Sequence, residues 1–424
     1  MKKLFSLFIA LMLGFPVMAQ QFDLGLELRP RYEFRNGYKS LLSEPQDPAS
    51  VVTQRSRLNF DYKHEKLEAK VSVQNIRAWG DVPTLNTSDE NGIAIFEAYG
   101  IYRPTETIGF KVGRQVISYD NERMFGEVNW TQQARSHDAL VFMFTPAANQ
   151  QLHIGAAINN EGETLVDVPY TLNNYKNMQY ARYHLNWQKS ALSLLVLNTG
   201  YEYQIGEVDK VQYKVTFGPY FKFNNNGWSG DLSAYGQLGT QQDRDVEAWY
   251  AGANLNYSLS KEWGAGIGAE YLSGTDMNQI GGDSNSFNPL FGTNHGFNGF
   301  MDYFYVGNHI NSVGLADMYA KLTYTKNKLK LTAIPHVFNA AADVYDASGK
   351  KQDSYLGTEV DLMLGYSLYK DLSLGMGYSH MFADDSLEVL KGGDAGEIQN
   401  WAWVSLTFKP TLFSWNNNSQ PANF

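Results

Sequence analysis

The chain of 424 residues contains no cysteine, so it can form neither a disulfide bond nor a thiolate metal site. After its first 20 residues it also lacks the run of about 18 apolar residues that a membrane-spanning helix needs. No helical repeat of 3.6 residues occurs there either. The formal net charge is −10, and an acidic chain is a poor candidate for nucleic-acid binding. These absences argue against a disulfide scaffold, a helical membrane protein and a nucleic-acid partner.

The first segment, 1–19, has the features of a signal peptide. Two lysines precede an apolar stretch at 4–13, and small residues occupy the −3 and −1 positions of a cleavage site before Gln20. We therefore expect the chain to be exported. The mature part is predicted to comprise one barrel domain at 20–410 and a polar C-terminal tail at 411–424.

Alternation of apolar and polar residues dominates the mature chain. Between 22 and 35, aromatic and aliphatic side chains share one face of an extended segment, while charged side chains share the other. A period of two over this length predicts a strand with one apolar and one polar face. The same pattern recurs at 52–63, 211–223, 329–337, 360–368 and 403–408.

The connections between these segments alternate between short and long. We find eight short turns, and nine longer polar segments at 36–50, 80–91, 119–136, 160–177, 200–210, 241–245, 274–313, 339–354 and 383–395. Together they separate about 18 strands, an even number as expected for a bacterial outer-membrane barrel with short turns at one rim. The predicted fold class is all-β, a closed antiparallel transmembrane up-and-down β-barrel in the outer membrane of a Gram-negative bacterium.

Aromatic residues near the predicted strand ends favour this barrel over two alternatives. A soluble multi-sheet protein has no need of aromatic girdles, and a β-propeller would show a blade-length repeat, which is absent. The aromatic residues concerned are Tyr62, Tyr102, Tyr119, Trp187, Trp249, Trp263, Tyr369 and Trp401. A barrel of this size is too wide for side chains to fill, so we expect an aqueous or plugged lumen in contact with lipid only outside.

Strand alternation places several arginines inside the lumen. Arg29 and Arg31 share the inward face of the first strand, and Arg55 and Arg57 that of the second. A guanidinium keeps its charge and binds carboxylate with two hydrogen bonds, so one interpretation is a basic wall that selects anionic solutes. Inward acids nearby support the alternative of a charge-balanced general diffusion porin. Further inward charges are predicted at Glu27, Glu33, Asp61, Arg182, His184, Lys214, Lys222, Asp317, Lys321, Lys328, Lys330, Glu359 and Asp361.

Enzymatic motifs are missing from the sequence. It contains no G-x-S-x-G, no HExxH and no phosphate-binding loop, and its eight histidines lack metal-ligand spacing. Ser284 follows Gly-Asp within a polar loop, without the strand–turn–helix setting of a catalytic nucleophile. We expect no enzyme activity, no cofactor and no metal, and keep a surface-binding or hydrolytic barrel as a second alternative. The aromatic loop 274–313 is expected to fold either over the rim or into the pore.

The stretch 113–144 concentrates arginine in a chain that has only 12, with Arg114, Arg123 and Arg135 around a polar loop. Its GRQ, NWTQQ and RSHDA motifs resemble the alginate-export family of outer-membrane porins. LRPRYE at 28–33, QRSR at 54–57 and the segment from Gly292 to Asp302 carry the same resemblance. It spans most of the mature chain, as one domain.

The resemblance implies a monomeric barrel of 18 strands whose arginine-rich constriction attracts an anionic polyuronate. Carried over by motif, the pore residues are Arg31, Arg55, Arg114, Arg123 and Arg135, with Asp138 in the last motif; Arg29, Arg57 and Arg182 rest on alternation alone. Alternation conflicts with the motif at Arg114, which shares a face with Phe110 and Val112, unless a bulge or an early strand end follows Gly113. The sequence also departs from the family's exporter, whose long loop between strands 16 and 17 is here only 369–372. This departure favours passive passage of anionic solutes, such as uronate-type polysaccharide or oligosaccharide, over gated export.

Overall fold

The computed structural model describes residues 20–85, 92–206, 208–279, 281–293, 295–309 and 312–417. The signal-peptide prediction concerns 1–19 and lies outside these residues. No helix among the described residues is long and apolar enough to cross a membrane. One short helix, α1 (Asp385–Lys391), begins after the cap residue Asp384, whose side chain accepts a hydrogen bond from the Ser386 amide.

All other helices and strands that the described residues form are antiparallel strands, in one continuous sheet. Each strand pairs with its sequence neighbours, as in a meander. The strands are β1 (Gln20–Asn36), β2 (Ala49–His64), β3 (Leu67–Ala78), β4 (Ala94–Tyr102), β5 (Ile108–Gln115), β6 (His137–Ala147), β7 (Gln150–Ile158), β8 (Asn177–Trp187), β9 (Ser190–Ile205), β10 (Val208–Asn225), β11 (Trp228–Gln241), β12 (Arg244–Ser258), β13 (Trp263–Leu272), β14 (Leu315–Lys326), β15 (Leu329–Asn339), β16 (Tyr355–Tyr369), β17 (Leu372–Ala383), β18 (Gln399–Phe408) and β19 (Thr411–Asn416).

The barrel closes where β1 meets the end of the chain. The second half of β1 pairs with β18, and its first half pairs with β19. β18 and β19 are therefore two parts of one barrel strand, interrupted at Lys409 and Pro410, where Pro410 has no amide hydrogen to donate. Counted this way the barrel has 18 strands, which confirms the predicted fold class. The predicted tail at 411–424 thus begins with a paired strand.

The alternating connections agree with the sequence prediction except at two hairpins. The segment 200–210 is not a long loop, because β9 continues to Ile205 and β10 begins at Val208. The segment 241–245 is likewise only a two-residue turn between β11 and β12. The connection between β16 and β17 is confirmed as short, with only Lys370 and Asp371 between the strands.

Apolar residues cover the outer face of the barrel, as contact with hydrocarbon requires. Six of the eight aromatic residues predicted at strand ends are well exposed, from Tyr62 at 37% to Tyr369 at 75%. The other two are interior. Trp401 is fully buried within the lumen, and Tyr119 packs edge-on against Phe125.

Two long loops fold into the lumen rather than over its rim. We call them L3 (116–136, between β5 and β6) and L7 (273–314, between β13 and β14). They join each other through a parallel bridge between Phe125 and Phe291, and the Gly126 amide donates to the Phe291 carbonyl at 2.8 Å. Both phenylalanines belong to a buried apolar cluster that includes inward-facing residues of β8, β9, β11 and β12. Of the two placements considered for loop 274–313, the inward one is therefore observed.

Candidate pore and solute-binding site

The arginine wall forms where β1 and β2 run side by side. Arg29 and Arg55 are directly opposed in the strand pairing, and Arg57 is opposed to Glu27. Arg31 and Arg55 are 6% and 0% exposed, so their side chains lie inside the barrel as alternation predicts. Like charges placed this close need compensation, and the structure supplies it from L3 and from neighbouring acids.

Backbone carbonyls of L3 accept many of the hydrogen bonds that this wall donates. Arg29 donates to the first three carbonyls of the segment 129–132, at 2.8, 3.3 and 2.9 Å. Arg31 donates to the carbonyl oxygen of Trp130 at 2.7 Å. Arg55 donates to the carbonyl oxygens of Thr131, at 2.7 Å, and of Gln132. Charge-assisted bonds of this kind are about twice as strong as neutral ones. The wall therefore holds a loop in the lumen in addition to lining a pore.

Carboxylates on the same strands neutralise part of the wall. Arg55 pairs with Glu27 at 2.9 Å, and Arg31 pairs with Glu33 at 2.9 Å. Arg57 instead donates to the side-chain oxygen of Gln74 at 2.6 Å, and its guanidinium carbon lies 3.7 Å from the centre of the Phe96 ring. Of the four wall arginines, Arg29 and Arg57 have no carboxylate within 4 Å among the described residues. A solute therefore meets an incompletely compensated wall.

Trp130 is the apolar anchor of L3 in the lumen. Its ring lies 3.9 Å from the guanidinium carbon of Arg31 and stacks on the His295 ring at 4.1 Å. The same ring packs edge-on against Trp401 and Trp403, with 5.7 and 4.8 Å between ring centres. Because His295 belongs to L7, this ring cluster joins L3, L7 and the barrel wall at one point.

Arg123 and Arg135, the two arginines of L3, both reach L7. Arg123 pairs with Glu270 of β13 at 3.0 Å and donates to Asn298 at 2.9 Å. Arg135 donates to the Gly292 carbonyl at 3.1 Å. Burial lowers the pKa of Arg135 to about 10, so this side chain keeps its charge at neutral pH. Both predicted residues are therefore inside the lumen, where they cross-link the two loops.

Arg182 also faces inward, but it lies within a closed polar cluster. Its guanidinium pairs with Asp120 of L3 at 2.6 Å and contacts Ser193 at 2.9 Å. His184 lies within 2.8 Å of the same Ser193 hydroxyl. Although a serine, a histidine and an aspartate meet here, Asp120 contacts the serine and the arginine and does not orient the histidine, as a hydrolytic triad requires. The cluster fastens the start of L3 to β8 and β9.

Arg114 and Asp138 do not face the lumen, which corrects the expectation from the family resemblance that both are pore residues. They form a 2.7 Å ion pair on the outer face of β5 and β6, where their side chains are 42% and 60% exposed. Val112 and Leu140 flank them on that face. The irregularity at Gly113 is real, with a φ of 120°, yet it does not invert the face that Arg114 occupies. Strand alternation was right here, and the residue-by-residue transfer from the family was wrong.

A cavity of about 510 Å³ opens between the arginine wall and β14 to β18; we call it the basic pocket. Its charged lining residues are Arg29, Arg31, Lys328 and Lys330, with no acid among them. Within the described residues, only Arg31 of these four is in an ion pair. Small or hydroxyl-bearing residues make room between the cations, namely Gly365, Ser367, Ser373, Gly375, Ser405 and Thr407.

A second cavity, of about 300 Å³, has the opposite charge; we call it the acidic pocket. It is lined from β1 to β4, from L3 and from the β18–β19 junction, and it contains more carboxylates than cations. Its charged residues are Asp23, Glu27, Asp61, Glu97 and Glu127 against Arg57, Lys70 and Lys409. The lumen thus separates its charges into two regions instead of mixing them evenly.

Several residues of the basic pocket were not among the predicted site residues. Lys328 and Lys330 were recognised as inward cations, but nothing in the sequence placed them beside Arg29. Trp403 and the small residues of β16 to β18 were missed. Their signal is the run of glycine, serine and threonine on the inward positions of three successive strands, which leaves open space where other strands carry large side chains.

Two further features of the sequence, candidate metal ligands and the Gly-Asp-Ser segment, can be located in the structure. Among the described residues, no group of three or more histidine, aspartate or glutamate side chains is arranged to hold a metal ion. Ser284 of the Gly-Asp-Ser segment instead makes backbone hydrogen bonds at the start of β12: its amide donates to Asp245 at 2.7 Å, and its carbonyl accepts from Glu247 at 3.0 Å. It anchors L7 to the barrel.

Comparison with known proteins gives one family and several structural neighbours. The model of a family described as "Alginate export" matches residues 20–398. No curated protein sequence matches the chain. Pseudomonas aeruginosa OpdK, solved with vanillate, superimposes with a TM-score of 0.61 at 12% identity, over 95% of this chain and 100% of OpdK.

Two further structures have the same fold. Pseudomonas aeruginosa OpdL has a TM-score of 0.62 at 12% identity, over 92% of this chain and 99% of its own. Acinetobacter baumannii OccAB4 has a TM-score of 0.62 at 10% identity, over 95% and 100%. At such low identity these likenesses concern the fold alone.

Proposed function

The chain belongs to the alginate export family of outer-membrane porins, and we propose that it gives passive passage to small organic anions, with uronate-type sugars as one class. As a member of this family it is a channel of the outer membrane and not an enzyme. The proposal includes a monomeric barrel, as the family resemblance implies. It does not extend to a long polyuronate chain, because L3 and L7 occupy much of the lumen.

The basic pocket is the observation that carries this proposal. An anion that enters it loses water and is attracted by the charges of Arg29, Lys328 and Lys330, which have no acid partner within 4 Å among the described residues. Hydroxyl groups of β16 to β18 can solvate the rest of the solute. A carboxylate suits this pocket because it can accept charge-assisted hydrogen bonds from the two lysines, while Arg29, whose hydrogens are largely taken by L3, adds its positive charge.

Aromatic rings beside these cations extend the class of solute. Trp130 and Trp403 line the same pocket and offer apolar faces to a sugar ring or an aromatic ring. Vanillate, present in the OpdK structure, is a small carboxylate with such a ring. We include aromatic carboxylates in the proposal on this ground.

The test is the ion selectivity of the purified porin in a planar bilayer under a potassium chloride gradient. We expect a reversal potential that indicates anion preference. The double variant Lys328→Gln plus Lys330→Gln should reduce the anion-to-cation permeability ratio several-fold. Lys326→Gln is the matched control, because Lys326 lies on the same hairpin but pairs with Glu262 outside the lumen. Unchanged selectivity in the double variant would refute the role of the basic pocket.

A charge-balanced general diffusion porin is the second candidate, and the acidic pocket favours it. Cations could follow the carboxylates of this pocket while anions follow the basic pocket, so the two preferences would cancel. A reversal potential near zero in the wild type, together with equal passage of small anionic and cationic solutes, would select this candidate.

A further inference from the structure

A third cavity, of about 860 Å³, lies at the long-loop end of the barrel, and we call it the outer vestibule. It is bounded by the ends of β9 and β10, by L7 and by a loop we call L4 (159–176, between β7 and β8). Its volume falls in the range of small-molecule sites, about 300–1,000 Å³. None of the predicted functions makes use of it.

Three tyrosines supply aromatic surface to the lining of the outer vestibule. Tyr201 and Tyr203 are two positions apart on β9, and their rings stack at 6.4 Å between centres with an angle of 30°. Tyr170 of L4 joins them in the lining. None of these three hydroxyl groups has a hydrogen-bond partner among the described residues. Each ring therefore offers both an apolar face and a free polar group.

Side-chain amides are the second component of the lining. Asn173, Gln204 and Gln242 line the vestibule without a side-chain hydrogen-bond partner among the described residues. Gln241 uses only its oxygen, which accepts from Lys214 at 3.3 Å. An amide donates and accepts at once, so such a set matches a ligand whose groups also do both, as hydroxyl groups do.

The charges of the vestibule are balanced, unlike those of the basic pocket. Its cations are Arg135 and Lys214, and its acids are Glu202 and Asp209. Glu202 is already paired with Lys176 at 3.1 Å. The two cations and two acids of this lining give little net attraction for an anion or a cation, which favours an uncharged ligand.

L4 is held in place before any ligand arrives. The Tyr170 amide donates to Glu202 at 2.8 Å, and the Thr171 hydroxyl donates to Glu161 at 2.7 Å within the loop. The hydrogen bonds from Thr171 hold the pKa of Glu161 below its usual range, so this contact is present at neutral pH. A preformed loop loses little conformational entropy on binding.

We propose that the outer vestibule is a binding site for uncharged sugar rings. A pyranose has an apolar C–H face that stacks on tyrosine and a rim of hydroxyl groups that suits the amides. The proposal does not depend on anion selectivity, because the basic pocket lies at a different level of the barrel and has a different charge.

The experiment uses single channels in a planar bilayer, with the neutral trisaccharides cellotriose and maltotriose as probes. We expect at least one of them to cause concentration-dependent interruptions of the current, with faster association from the long-loop side than from the short-turn side. Tyr201→Ala and Tyr203→Ala should each weaken the apparent affinity about tenfold. Tyr183→Ala, on the outer face of β8, is the matched control and should leave it unchanged.

Two outcomes would overturn this proposal. One is the absence of interruptions with both sugars; the other is an equal affinity in the wild type and the tyrosine variants. Normal conductance of each variant in potassium chloride shows that its barrel has folded. The reversal potential of the same channels reports anion preference separately, so failure of the vestibule proposal is distinguishable from failure of the proposed function.

Discussion

Replacing Arg55 by methionine should release L3 from the barrel wall. The side chain is fully buried and donates strong hydrogen bonds to three residues of the segment 129–132 as well as to Glu27. Methionine fills a similar volume but donates nothing. Removing one partner of such a buried network costs about 3–5 kcal/mol. Since Arg29 and Arg31 still hold the loop, we take about 3 kcal/mol, which is roughly a hundredfold change in the docking equilibrium.

Because the natural chain contains no cysteine, a single introduced cysteine can report the release of L3. A single cysteine introduced at Met124, a residue of L3 that is only 3% exposed, is protected from a thiol reagent while the loop is docked. When opening and closing are fast relative to labelling, the labelling rate follows the open fraction. We therefore expect Arg55→Met to raise the rate roughly a hundredfold and to make the single-channel current larger and noisier.

A control is needed because the Arg55 variant also leaves Glu27 without its closest cation. Adding Glu27→Gln removes that carboxylate, so the labelling rate of the double variant isolates the contribution of the loop contacts. If the Met124→Cys labelling rate changes by less than a factor of about two in both backgrounds, the arginine wall does not hold L3, and our account of it fails.

Two smaller predictions concern β5. Gly113→Ala should lower the free energy of unfolding in urea by about 3 kcal/mol, because the φ of Gly113 is 120° and an added Cβ would lie 2.3 Å from the Ala98 carbonyl oxygen. Gly264→Ala is the control: its Cβ would make only an ordinary contact, so it should cost less than about 1 kcal/mol. Arg114→Ala should cost at most about 1 kcal/mol and leave ion selectivity unchanged, because it removes only an exposed ion pair; a selectivity shift in the bilayer would instead place this side chain in the conduction path.

Strand alternation carried most of the fold prediction. A lipid-facing strand must be apolar on one face, so its period of two is visible even at low overall hydropathy, and the turn lengths then order the strands. The prediction failed where composition outweighed this signal. The extension of β9 and β10 through 200–210 was taken for a loop because glycine and charged or amide residues make up much of it.

The site was harder to predict, because loop paths leave no periodic signal. The arginines of the wall were identified, yet their main partners are backbone carbonyls of the segment 129–132, about 75–100 positions away in the chain. A backbone carbonyl belongs to every residue type, so no composition or motif marks it as a partner. The family motifs around Arg31, Arg55 and Trp130 meet in space, but their separation in sequence hides this contact.

The interrupted strand at the barrel seam has a consequence for assembly. β1, the first strand of the barrel, finds its second neighbour only in β18 and β19, so the ladder that seals the cylinder joins strands that are far apart in the sequence. Such long-range pairing forms slowly, since its entropy cost comes before any compensating contact. The break at Pro410 divides this ladder into two short pieces. We expect this seam to close last during insertion into the membrane, and a chain that ends before β18 to remain an open sheet with two unpaired edges.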